Sequence, residues 1–172
     1  MPPLTLDLNV TPEVPIVSRP GNRSPGALLA IAELLAPQAR YQRRDVTGDN
    51  VDETFCNFFA REALRGLGVD LPRLRANELA EYLHGPVALG HDWAWINVWV
   101  AKALAEAGFP VLALQRNPTG PGHVALLMPP RTDPERALNR VWIAQAGATN
   151  FAHGRLQQGF SPDRPVLFFG HP

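Results

Sequence analysis

The stretch "GFPVLALQRNPTGPGHVALLM", Gly108 to Met128, is where the chain changes period. Ahead of Gly108, apolar residues recur three and four apart, the spacing of one helix face; beyond it they form short runs split by Gly- and Pro-rich turns. The stretch itself holds two such runs, PVLAL (110–114) and HVALLM (123–128), and two more follow, VWIAQA (141–146) and VLFF (166–169). Connections this short favour antiparallel hairpins over parallel crossovers. The expectation is a small antiparallel sheet.

Working back from Gly108, the spacing predicts a helix through WAWINVWVAKALAEAG (93–108) and another over ANELAEYL (76–83). A third begins at Thr54 and carries Phe55, Phe58, Phe59, Ala63 and Leu67 to a stop at Gly66 and Gly68. The first has Ser24 as N-cap and Pro25 at its first turn, with Leu28, Leu29, Ile31, Ala32 and Leu35 as its stripe before Pro37. Between them YQRRDVTGDNVDE (41–53) is polar and turn-rich, hence a loop, and Pro129, Pro130 and Pro134 mark another on the surface. Six prolines in the first 25 residues make residues 1–23 an extended arm and leave 24–172 as a single domain. Helices first and strands afterwards give an α+β class, with helices packed on the sheet.

The chain has 172 residues, 45% hydrophobic and 19% charged, enough to bury a core without disulfides. With 16 Lys+Arg against 16 Asp+Glu and no basic run, nothing builds a phosphate-tracking stripe, so nucleic acid is not expected as a partner. No run approaches the roughly 18 apolar residues of a membrane span, and the N-terminal stretch lacks the basic start and apolar core of a Sec-type signal.

Cys56 is the single cysteine, so an intramolecular disulfide is excluded. With Thr54 as N-cap it falls in the first turn of its helix, where free N–H groups and the helix dipole favour a thiolate. The same residue also reads as a small buried core side chain, since cysteine is among the most buried types. A nucleophilic cysteine needs a base, and of five histidines, His84, His91, His153 and His171 fall in apparent loops or at the terminus. His123 differs: it opens a strand directly after PTGPG. If HVALLM and VWIAQA pair antiparallel with Leu127 opposite Val141, then Ala125 meets Ile143 and His123 meets Gln145, all on one face. Gln145 is therefore the polar residue best placed to hold the His123 ring, although a bond to loop backbone would account for it equally well.

TFCNFF (54–59), GHVALL (122–127) and AQAGATNF (144–151) together resemble the papain-like cell-wall hydrolases of the NlpC type and the related CHAP amidases. The likeness runs from about Tyr41 to Phe169. It implies a papain-like catalytic domain with Cys56 as nucleophile, His123 as base and Gln145 as orienting residue. The third position in these families is commonly His, Asn, Asp or Glu, which leaves Asn150 as the alternative to Gln145. A second oxyanion donor beside the Cys56 N–H could come from Tyr41 or Asn57. The resemblance further implies hydrolysis of an amide bond in bacterial peptidoglycan, with the stem peptide as substrate and action in the periplasm or cell wall of a target bacterium. Delivery as a secreted antibacterial effector would bring an immunity protein as partner; a phage lytic enzyme is the alternative. Two rivals stay open, a papain-like protease or acyltransferase acting on an intracellular protein and an inactive binding module.

No cofactor and no metal are expected. Asp45, Asp49, Asp52 and Glu53 cluster ahead of the cysteine, where some CHAP relatives hold calcium, but the spacing lacks the alternate-position ligands of an EF-hand loop, and a solvated acidic loop is expected. Trp95 and Trp99, four apart, are expected on one buried helix face, with Trp93 free to line a substrate groove.

Overall fold

The computed structural model describes residues 13–49, 51 and 53–172. The expected arm lies partly outside these residues. Its described part, 13–23, has neither helix nor strand but is packed down. Val14 and Val17 lie against the core, Val17 N–H donates to the Gly66 carbonyl at 2.7 Å, and Arg23 donates to the carbonyls of Leu67 and Pro172.

The first helix, α1 (Pro25–Leu35), starts as its sequence dictates: the Ser24 hydroxyl accepts from Ala27 N–H at 3.2 Å, and Pro25 occupies the position whose N–H would go unused. A short α2 (Pro37–Arg40) follows, then α3 (Cys56–Gly66), α4 (Ala76–His84) and a turn-long α5 (Pro86–Leu89). The expected helix over 93–108 divides. Ala94–Ile96 form a strand, β1, and Asn97 then caps α6 (Val98–Glu106) by accepting from the N–H groups of Trp99 and Val100 at 3.0 Å. The Asn97 side chain is the local signal that the helix starts there.

Beyond Gly108 come β2 (Val111–Gln115), β3 (His123–Met128), a short α7 (Asp133–Ala137), β4 (Trp142–Ala146), β5 (Asn150–Arg155), a 3₁₀ turn over Leu156–Gln158, and β6 (Leu167–Gly170). Among the described residues six strands form one antiparallel sheet in the order β1-β6-β2-β3-β4-β5. The expected α+β class with an antiparallel sheet holds. The four central strands were the apolar runs; the two edge strands, AWI and NFAHGR, carry no alternation that would mark them.

Strand alternation splits the core into two layers. Leu112, Leu114, Val124, Leu126 and Met128 face α1, α3 and α4. Ala113, Ala125, Leu127 and Ile143 face Ala101 and Ala105 of α6 and, from the last loop, Phe160. The tryptophans reverse the expectation. Trp93 is buried at 2% exposure, whereas Trp95 on β1 and Trp99 on α6 are 66% and 67% exposed. The strand at 94–96 breaks the helical phase that would have put Trp95 and Trp99 on one buried face.

Pro134 stands inside α7, in its first turn, after the Thr132 cap, so that proline starts a helix rather than marking a loop. His84 ends α4 and His153 sits on β5, so neither is a loop residue.

Candidate active site

β3 and β4 pair two residues away from the expected register. Leu127 lies opposite Ile143 rather than Val141, and Leu126 opposite Ala144. A slip of two keeps every side chain on its face, so His123 and Gln145 become diagonal neighbours. They bond directly, His123 Nε2 to Gln145 Oε1 at 2.8 Å.

The orientation of this bond follows from its other end. Gln145 Nε2 donates to the Thr149 carbonyl at 2.8 Å, which leaves Oε1, an acceptor only, facing the ring. His123 Nε2 therefore carries the hydrogen, and Nδ1 keeps the lone pair. Two glycines make room for the pair. A Cβ at Gly147, which the register continued along the strands sets opposite His123, would sit 2.8 Å from the ring Cε1. A Cβ at Gly159 would sit 1.8 Å from Gln145 Oε1. Phe160 covers the ring at 4.9 Å between centroids. Beside Gln145 an extra residue on β5 shifts its register against β4, bending that strand at the edge of the site.

Cys56 is the first residue of α3, but its N-cap is Phe55, with no side-chain cap, rather than Thr54. The first-turn N–H groups thus stay available to the sulfur. Cys56 is buried, 5% exposed, and burial pushes its thiol above the ordinary value. Main-chain groups of Val124, Asn57 and Cys56 itself, with the Thr54 side chain, act in the opposite direction without overcoming it. His123 is not among these partners. The thiol lies on the α3 side of the sheet against Val124, one residue along β3 from a histidine whose strand neighbours face α6. Burial also holds His123 below its ordinary value, opposed by the Gln145 bond. Both shifts favour a neutral thiol and a neutral imidazole at rest over the ion pair.

His123 and Gln145 line a cleft of ≈ 270 Å³ with Thr54, Gln115 and Thr149. Thr54 is the link between the two halves, since it lines the cleft and its side chain reaches the thiol. A larger hollow of ≈ 560 Å³, lined by Arg61, Arg65 and Tyr82 among others, holds neither the thiol nor His123.

The alternatives are otherwise engaged. Asn150 accepts from Gly147 N–H at 2.8 Å and donates to the carbonyls of Pro37 at 3.1 Å and Tyr41 at 2.8 Å, so it ties β5 to α2 and leaves His123 to Gln145. Tyr41 is buried against Phe59 with its hydroxyl donated to Glu62, and Asn57 donates to the Leu74 carbonyl at 3.1 Å. The Tyr41 hydroxyl is thus spent on Glu62, and one of the two Asn57 amide hydrogens on Leu74. In the acidic loop, carboxylate oxygens of Asp45, Asp49 and Glu53 come within 4.8 Å of one another, yet they accept main-chain N–H groups of the loop itself, from Gly48, Val51 and Val46 among others. Asp52 lies outside the described residues. The buried Gln115 drew no attention in the sequence, because nothing near it in the chain shows what it binds: Nε2 donates to the carbonyls of Ser161 and Arg164, both at 2.8 Å.

No helix of the described residues is long and apolar enough to cross a membrane. Compared with known proteins, the chain matches no family model and no curated protein.

Proposed function

We propose that this protein is a papain-like cysteine hydrolase that cuts an amide bond in bacterial peptidoglycan, with Cys56 as nucleophile, His123 as base and Gln145 as the residue that orients the base. One observation carries the reading: a strand-start histidine, held in its Nε2–H tautomer by Gln145 at 2.8 Å, borders the strand position against which the helix-start thiol lies. Peptidoglycan as the substrate rests on the resemblance of TFCNFF, GHVALL and AQAGATNF to NlpC-type and CHAP enzymes. A periplasmic site of action, effector delivery and an immunity partner follow from the same resemblance.

The chemistry requires the thiol to leave its contact with Val124 and turn past Thr54 into the cleft. There His123 Nδ1 takes the thiol proton as sulfur attacks the amide carbonyl, and the Cys56 N–H donates a hydrogen bond to the developing oxyanion. The imidazolium then protonates the leaving amine. Water, deprotonated by the same nitrogen, releases the acyl group from the thioester.

Digestion of purified sacculi followed by mass spectrometry tests this. The parent should release muropeptide fragments, and Cys56→Ala, folded by circular dichroism, should release none. Equal digestion by both removes Cys56 from the reaction. The 5% exposure of Cys56 favours a second reading, an inactive binding module of the same fold. Sacculi bound but uncut by the parent, with Cys56→Ala binding as tightly, would select it.

A further inference from the structure

We propose that Arg164 is the carboxylate-recognising residue of the His123 cleft, so that the ligand taken there is a peptide carrying a free carboxylate close to the bond that faces His123. The inference rests on the proposed hydrolase reading for its substrate class, but the binding it describes does not depend on turnover.

Three observations converge on this residue. The first is charge. Arg164 lines the cleft, and no aspartate or glutamate does; apart from the histidine, the remaining lining is neutral. In a chain with 16 cationic and 16 anionic side chains, that makes Arg164 the one residue of the lining, apart from the histidine, that carries a charge.

The second is pairing. Arg116 meets Glu81 at 2.8 Å, Arg136 meets Glu106 at 3.1 Å and Arg131 pairs with Glu33. Among the described residues Arg164 has no carboxylate within ion-pair distance, and its neighbour Asp163 bonds instead to the Ser161 hydroxyl at 3.2 Å. A guanidinium presents a planar fork of N–H donors that matches a carboxylate bidentately, and Arg164 combines an unpaired guanidinium with a place on the cleft lining that holds no carboxylate.

The third is support. Gln115, 5% exposed at the end of β2, spends both of its polar atoms on the turn that carries Arg164. Its Nε2 donates to the Ser161 and Arg164 carbonyls at 2.8 Å, and its Oε1 accepts from Ser161 N–H at 3.2 Å. A buried amide is costly unless its bonds are made, and here all are made to one turn. Gln115 is thus a positioning residue: it fixes the main chain of the turn from which the Arg164 side chain extends. His123 and Arg164 line the same small cleft of ≈ 270 Å³, so the carboxylate recognised lies close to the bond at His123.

The experiment is titration calorimetry of the Cys56→Ala protein with two probes, a defined N-acetylmuramoyl peptide ending in a free carboxylate and the same peptide as its carboxamide. The acid should bind roughly 10- to 100-fold more tightly, a preference that weakens with added salt. In Cys56→Ala/Arg164→Gln the two probes should bind alike, and Arg164→Lys should restore only part of the preference, because a point charge lacks the fork. Equal affinity for acid and amide, a preference that survives Arg164→Gln, or no binding of either probe would each overturn the assignment. Turnover by the Cys56-containing protein separates the two claims. Carboxylate preference without hydrolysis keeps the Arg164 site and removes the hydrolase, whereas equal hydrolysis of acid and amide does the reverse.

Discussion

Gly159 has no room for a side chain because Gln145 fills the space above it, and that proximity gives the His123–Gln145 bond a test that leaves both residues in place. Gly159→Ala would set a methyl 1.8 Å from Gln145 Oε1, so the amide must swing away from the ring. We expect Gly159→Ala to reproduce the loss caused by Gln145→Ala, roughly 10- to 1000-fold in kcat, or about 1.4 to 4 kcal/mol in barrier height. Full activity in Gly159→Ala would show that the bond is not used. Gln145→Glu keeps an acceptor for His123 but sets a carboxylate against the Thr149 carbonyl, where the amide now donates, so it should not rescue fully. For Cys56, burial raises the thiol, so alkylation by iodoacetamide should be slow at pH 7 and climb toward and beyond the ordinary value of 9.0. A rate already at its plateau near neutrality would mean that the resting thiol is a thiolate.

At the scale of elements, α2 and α3 are joined by a buried polar contact. Glu62 of α3 accepts from the Tyr41 hydroxyl and pairs with Arg40 at 3.3 Å. Burial raises the Glu62 carboxyl above 4.5, and the bond from Tyr41 and the charge of Arg40 oppose the rise without cancelling it. A folded-state value above the unfolded one means a contribution that is whole below pH 4.5 and lost as pH rises through the folded value. Glu62→Gln keeps an oxygen for Tyr41 and removes the titration. Its Tm relative to the parent should therefore improve as pH rises above 4.5 and level off once pH passes the folded value. A relative Tm that falls as pH rises would show that the ion pair with Arg40 outweighs burial.

Across the whole molecule, the α6 layer and the α1 layer meet at Gly108, just after α6. Gly108 has φ +91°, and a Cβ there would lie 2.2 Å from the main-chain carbon of Ser24, the cap of α1. Gly108→Ala is disfavoured by its backbone conformation and by the clash, and the two cores cannot both keep their positions. A loss of about 2 to 5 kcal/mol is expected, read as a lower denaturant midpoint at unchanged slope. A midpoint within error of the parent would mean that the contact yields without cost.

Local pattern alone was enough to place the four central strands beyond Gly108, the extent of β3 and the meeting of His123 with Gln145. That meeting survived a wrong register because side chains alternate with period two, and the error was two residues. Which of Gln145 and Asn150 bonds the His123 ring was not a local matter. It was decided by carbonyls of Pro37 and Tyr41, over 100 residues away, which occupy the Asn150 amide. Edge strands β1 and β5 were invisible because pairing on one side imposes no apolar alternation, and the burial of Trp93 with the exposure of Trp95 and Trp99 followed from that missed strand. The seating of Cys56 against Val124, on the other side of the sheet from the His123 side chain, depends on how α3 lies across β3. Likewise Gln115 finds the turn of Ser161 and Arg164 across more than forty residues. Periodicity along the chain reports which way a side chain points; which partner stands there is set by packing between segments distant in sequence.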